Sequence, residues 1–452
     1  MSAALRPWHA PLRAGRHPRV SATMSCGLAA RWVGGWACRL GKQGYESQLG
    51  VGATNRRHTE ETIWSAPFVI LMASNFFQSL AAFTANTTLP LYIDRMGASA
   101  GMVGVIIGAF AITALLIRPF AGPAFDSFSR KRILLAAQGI IALAFLLYSF
   151  ARTSWALFAV RLLHGLGIGC AGPVAMSLVS EYLPMSKFAS GVSIYMLSQS
   201  FAQVIGPAAG LWMADAFGFQ VTYRIAACML LFSVLAITRV RETPRERPPY
   251  QLRLDRMFAR EAVGKAIVLT LFAAAFACVG SYLVLYANRL GIADIGSYFV
   301  VYAICLLGTR PLFGRLADNF GAERVLLAGV ACFALSYVVL SQAATLPGFL
   351  VAAVIGAAGF GSCVPLVQTL AMASVDAERR GAASNTSFTG MDLGFLVGPA
   401  VAGAVIELLD MATGSILEAY SLVWLVMLVP LACAFAIILR WNLRRGSGQR
   451  QR

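Results

Sequence analysis

Asp392 is the one carboxylate set well inside a long apolar block of this chain, and Arg161 and His164 sit inside another. Ionisable groups in such surroundings are costly to keep, so each is a candidate for chemistry before it is a candidate for packing. Asn385, Thr389 and Asp392 follow one another at i, i+4 and i+7, which places them in one polar stripe of a helix. A carboxylic acid there can bind and release protons, or it can be a fixed salt-bridge partner that never titrates; proton or cation handling is the leading expectation. Arg161 and His164 share a helix face at i and i+3 and are the other candidates for proton coupling. An arginine bonded to carbonyls of a neighbouring helix accounts for Arg161 equally well.

Uncharged polar residues recur at helical spacing in the same kind of block. Asn75, Gln78, Ser79 and Asn86 fall on one, Tyr195, Gln199 and Gln203 on another at i, i+4 and i+8, and Tyr282 and Tyr286 pair on a third. With Asn385 these are candidates to line a substrate cavity, although amides and tyrosines also bond from helix to helix inside membranes.

The elements that must position these residues are long. Residues 65–93, 155–179 and 382–406 each exceed the ~20 residues that cross about 30 Å of hydrocarbon. The chain is 58% hydrophobic and 13% charged, with a mean hydropathy of +0.69. A soluble chain needs more charge than that to cover its surface. Apolar blocks and their breakers predict helices at 65–93, 101–121, 131–150, 155–180, 189–213 and 219–239, then at 263–289, 295–316, 324–343, 347–373, 382–407 and 417–440. The expected fold class is all-α and integral to the membrane, with twelve transmembrane helices in two six-helix halves. The segments are a basic N-terminal extension (1–61), the first half (62–239), a linker (240–262), the second half (263–440) and a tail (441–452).

The net charge of +17 marks topology rather than nucleic-acid binding, because the basic residues gather between apolar blocks and at the chain ends. Arg130, Lys131, Arg132, Lys187, Arg315, Arg324, Arg379 and Arg380 fall on one side with the linker and tail. The other side offers little beyond Arg95, Arg152, Arg224 and Arg289, with Glu407, Asp410 and Glu418. Both termini are therefore expected in the cytoplasm, and the protein in the cell's inner (plasma) membrane. Residues 1–61 have no apolar core and no amphipathic period; they are read as a disordered arm or as sequence upstream of the true start. Seven of the nine cysteines lie in apolar blocks and none has C-x-x-C spacing, so packing explains them without disulfide or metal. Metalloprotease, P-loop and serine-hydrolase motifs are missing from the sequence, so no enzyme and no cofactor is expected.

The halves repeat. Arg118-Pro119-Phe120-Ala121-Gly122 with Asp126 recurs as Arg310-Pro311-Leu312-Phe313-Gly314 with Asp318, and the same shift of 192 residues pairs Gly167 with Gly359, Gly169 with Gly361, Pro173 with Pro365, Gly206-Pro207 with Gly398-Pro399 and Gly104 with Gly296. On these residues, 62–440 resembles the major facilitator superfamily of secondary transporters, in its efflux-like branch. The family's loop motif after the second helix is matched by Gly122, Asp126, Arg130 and Lys131, while Ser127 and Ser129 replace its Arg and Gly; Gly314 and Asp318 repeat it. The family's fourth-helix motif, linked with proton coupling, is matched around Arg161, with His164 at a position that usually carries Gln. Gly206-Pro207 and Gly210 partly match a motif of family exporters, without its second Gly, and Gly165, Gly169, Gly206 and Gly210 also suit close helix packing.

The resemblance implies a cavity between the halves at mid-membrane, small-molecule substrate and protons as partners in a lipid bilayer, and a monomer. Asp126 and Asp318 are expected as gates that accept N–H groups at the starts of the eleventh and fifth helices. The function expected is proton-coupled efflux of drug- or metabolite-like molecules. The alternatives are a proton-coupled nutrient importer and a membrane sensor that transports nothing.

Overall fold

Ser65 starts the first helix by accepting the Phe68 N–H at 3.4 Å, and Pro67 sits in the opening turn, where its missing N–H has no helical partner to lose. In this computed structural model, which describes residues 62–242, 249–251, 257–376 and 379–449, the same device recurs. Ser99, Ser129 and Thr153 cap the next three helices through the N–H groups of Met102, Arg132 and Ala156.

The first half contains α1 (Ala66–Arg95), α2 (Ala100–Ser127), α3 (Arg130–Tyr148), α4 (Ser154–Ser180), α5 (Phe188–Phe217) and α6 (Phe219–Thr238). The second contains α7 (Val263–Arg289), α8 (Gly296–Phe320), α9 (Ala322–Gln342), α10 (Leu346–Met372), α11 (Arg380–Thr413), α12 (Ile416–Val426) and α13 (Leu428–Gln449). Among the described residues, ten spans are long and apolar enough to cross a membrane. The expected basic extension, residues 1–61, lies outside the described residues, as do 243–248 and 252–256 of the expected linker and the tail beyond 449.

The last span departs from expectation: where one helix was read over 417–440, the structure breaks at Met427 into α12 and α13. Pro430 is the physical reason, since it has no N–H for the Val426 carbonyl and its ring crowds that turn.

Within each half the helices pack mainly on one another. The halves meet where α2 lies along α11, α5 along α8 and α1 along α7. Leu143 and Leu146 on α3, Phe232 and Leu235 on α6, Leu335 on α9 and Val429 on α13 turn outward. The chain buries its cores without those side chains and leaves them on the surface that lipid covers.

Candidate functional site

Glycines let α2 and α11 touch. A Cβ at Gly104 would run into the Pro399 carbonyl and the Tyr282 hydroxyl, and one at Gly403 would run into the Ala100 carbonyl. Into this close approach Tyr282 brings its hydroxyl, 2.9 Å from the Ala100 carbonyl and 2.8 Å from that of Pro399, so one donor serves two helices from different halves. One turn further out, Glu407 on α11 accepts the Gly101 N–H of α2 at 2.9 Å, where the helix dipole favours an anion. Arg289 at the end of α7 reaches Asp94 at the end of α1 at 2.9 Å. These links close the halves together at this end.

Halfway down the same seam, Arg118 Nε donates to Asp392 Oδ2 at 2.5 Å, joining α2 to α11. The two side chains are only 12% and 11% exposed, and the guanidinium also lies 5.5 Å from the Phe388 ring centroid. Removing one member of such a pair leaves an uncompensated charge, at a cost of about 3–5 kcal/mol. Arg118 was not among the sequence candidates for chemistry. It figured there only as the first residue of the repeated motif, although a basic residue within the second apolar block was itself a signal.

Arg161 and His164 lie apart from that pair, buried inside the first half. Arg161 donates through Nε to the Ile107 carbonyl at 3.2 Å and through Nη2 to Asn86 at 3.5 Å, and its guanidinium sits 4.8 Å from the Phe110 ring centroid. No carboxylate among the described residues pairs with it. His164 Nδ1 is 3.1 Å from the Tyr148 hydroxyl, and its Nε2 has no partner. Phe110 lies between the two centres: it faces Arg161 and packs on Phe395 of α11 at 6.2 Å.

The loop end of the molecule is different. Arg130 binds Glu181 at 2.7 Å and gives its backbone N–H to Glu242 at 2.8 Å, and Lys131 Nζ donates to the Thr238 carbonyl at 2.7 Å. Both residues thus fasten α3 to its own half. Gly122 is exposed, while the Asp126 side chain and the surroundings of Gly314 lie outside the described residues. Asp318 is exposed, and α5 and α11 both start without a side-chain cap. Among the described residues, the cross-half contacts named above lie at the other end and the middle of the seam.

The expected cavity residues divide. Gln199 and Asn86 are exposed, and Asn75, Gln78, Gln203 and Asn385 are half-buried. Asn75 donates to Ser198 at 2.8 Å, Gln78 accepts from Gln138 at 2.5 Å, and Asn385 donates to the Met257 carbonyl at 3.1 Å. The three tyrosines do not line an open cavity. Tyr195 is 2% exposed in an apolar cluster, Tyr282 is fully buried, and Tyr286 packs its ring on Phe349 while donating to the Ala343 carbonyl. Their rings supply core area, and backbone carbonyls satisfy the hydroxyls of Tyr282 and Tyr286.

Two helical bundles that meet along a glycine seam, fastened to each other at one end and at its middle, have the architecture of a membrane transporter. The chain belongs to the Major Facilitator Superfamily, whose model matches residues 71–296 and 266–451. It is 25% identical over 368 residues to the multidrug resistance protein MdtG of Citrobacter koseri, covering 76% of this chain and 88% of that one. It is 24% identical to a multidrug resistance efflux pump PmrA homolog of Lactococcus lactis, covering 81% and 95%. The nucleoside transporter NupG shares the fold at 16% identity with a TM-score of 0.68, covering 83% of this chain and 99% of the other. The protein is therefore a multi-pass membrane transporter of this superfamily, which is a family of transporters and not of enzymes.

Proposed function

We propose that this chain is a proton-coupled exporter of small organic molecules, and that the Arg118–Asp392 pair couples proton to substrate. The observation that carries the reading is an ion pair between the halves inside the membrane, in a conformation fastened at one end of the seam; we read the opposite end as the open one. Relatives named for multidrug resistance support export. The basic residues of the open end support its facing the cytoplasm, with both termini on that side.

In the cycle we envisage, substrate enters from the open end while Asp392 is a carboxylate held by Arg118. When the halves rock to open the other end, a proton from that side adds to Asp392, neutralises it and frees Arg118. Return to the present state gives the proton to the cytoplasm and restores the pair. Asn75, Gln78, Asn86, Gln199 and Gln203 are the polar side chains available to substrate; Arg161 and His164 serve as the buried support of that wall. Asp126 and Asp318 act as gates when the open end closes.

The test is untargeted mass spectrometry of cells and spent medium from strains with the active protein, with Asp392→Asn and with none. A compound enriched in the medium only with the active protein supports export. The same compound depleted from the medium overturns the direction, and equal profiles in all strains favour a sensor that moves nothing.

A further inference from the structure

At the closed end of the first half, a cavity of about 450 Å³ lies between the last turn of α1, the end of α3 and the first turns of α6. Tyr92, Ser149, Phe150, Arg152, Gln220 and Arg224 line it. Neither arginine is in an ion pair among the described residues. The carboxylates at the ends of α1 and α5 on this face are engaged elsewhere, Asp94 by Arg289 at 2.9 Å and Asp215 by Arg95 at 3.9 Å. The cavity wall therefore carries two guanidinium groups and no acid. Arg224 is steadied by the Phe150 ring, 5.4 Å from its centroid. The Tyr92 hydroxyl donates to the Ala151 carbonyl at 2.6 Å and is reached by Gln220 at 3.4 Å; Tyr92 and Ser149 form a buried polar floor, while Gln220 and the two arginines are exposed at the mouth.

Such a wall, which presents forked donors without a counter-charge, suits a phosphate group. The first turn of α6 adds to the field, since it has neither an acidic residue nor a side-chain cap. The depth in the membrane identifies the source. Phe150, Trp155 and Phe217 are exposed around this level by 61%, 70% and 54%, an arrangement of aromatic rings typical of the headgroup region. The α3 and α6 helices that form the walls are also those whose outer faces meet lipid.

We propose that this pocket binds a phosphate group, that of an anionic phospholipid headgroup in the adjoining leaflet. Choline or ethanolamine headgroups are disfavoured because their cation would meet two arginines with no carboxylate to receive it. The lining comes entirely from the first half, so the lipid travels with that half through the transport cycle and does not act as a gate. The inference is independent of the direction of transport and of the proton.

The full chain, purified and mixed with phosphatidylglycerol or phosphatidylcholine, is examined by native mass spectrometry beside R152A/R224A, R152K/R224K and an Arg260→Ala control at the other end. Retained phosphatidylglycerol is expected to fall about tenfold in R152A/R224A, on the scale of losing charge-assisted hydrogen bonds. It should persist in the lysine variant and the control, and exceed retained phosphatidylcholine in the unaltered protein. Equal retention of phosphatidylglycerol by the unaltered protein and R152A/R224A would overturn the site. Inorganic phosphate at millimolar concentration displacing the lipid would overturn the lipid as its occupant and assign the pocket to a free anion.

Discussion

Gly104 on α2 and Gly296 on α8 stand 192 residues apart and face matching partners, α11 and α5, across the junction of the halves. At Gly104 a Cβ has no room, whereas at Gly296 it would rest at an ordinary 3.5 Å from the Ala208 backbone. The polar residues differ more. Where α11 carries Asp392, α5 carries Ser200 at the equivalent position, with its hydroxyl 3.4 Å from the Met196 carbonyl of its own helix. Glu407 reaches across to Gly101, but its equivalent, Asp215, pairs at 3.9 Å with Arg95 of the same half. The duplication thus preserved small residues at both seams, while among the described residues the acids that bind across the α2–α11 seam, Asp392 and Glu407, have no acidic counterparts bonding across the α5–α8 seam. On the proposed mechanism, an input that neutralises Asp392 would act on the α2–α11 seam and leave the α5–α8 seam unchanged.

The severest challenge to this comparison is to remove one member of the pair. Arg118→Ala or Asp392→Asn should each destabilise the purified protein by about 3–5 kcal/mol and abolish transport driven by a pH gradient in proteoliposomes. The double variant R118M/D392L should regain much of the stability, seen in thermal unfolding, and none of the transport. Gly104→Val should cost about 1–3 kcal/mol through overpacking. It should also raise thiol labelling of a cysteine placed at Ala98, whereas Gly296→Val, facing the roomier seam, should change labelling less. Glu407→Gln keeps an acceptor but loses charge assistance, a change of about 1 kcal/mol that hydrogen exchange would read as faster exchange in the first turn of α2. The smallest effect is expected from Arg289→Ala, because its pair is 45% and 26% exposed. A loss within about 1 kcal/mol that shrinks further in high salt is the expected unfolding result.

The membrane fold was legible because each apolar block is long enough to span and the repeated residues share one offset. The break at Met427 was not, since Pro430 sits in a run whose hydropathy continues without pause. Asp392 stood out by its depth in an apolar block, but its partner did not. Hydropathy reports how deep a residue lies, and says little about which helix it faces when the partner is hundreds of residues away. The same blindness put Tyr195, Tyr282 and Tyr286 in the cavity: helical spacing gave them a common face, and packing turned those faces inward. Glu407 was read only as a marker of the less basic side, although it supplies a cap to another half.

The pairing of Arg118 with Asp392 joins residues 274 positions apart, and that of Gly101 with Glu407 joins residues 306 apart. At roughly 5–20 residues per second of synthesis, tens of seconds separate the insertion of α2 from the arrival of α11. During that interval Arg118 resides in the bilayer without its carboxylate, and the nascent first half is held by its own contacts alone. The ion pair thus forms late in biogenesis, and a chain truncated before α11 is left with an unmatched intramembrane charge.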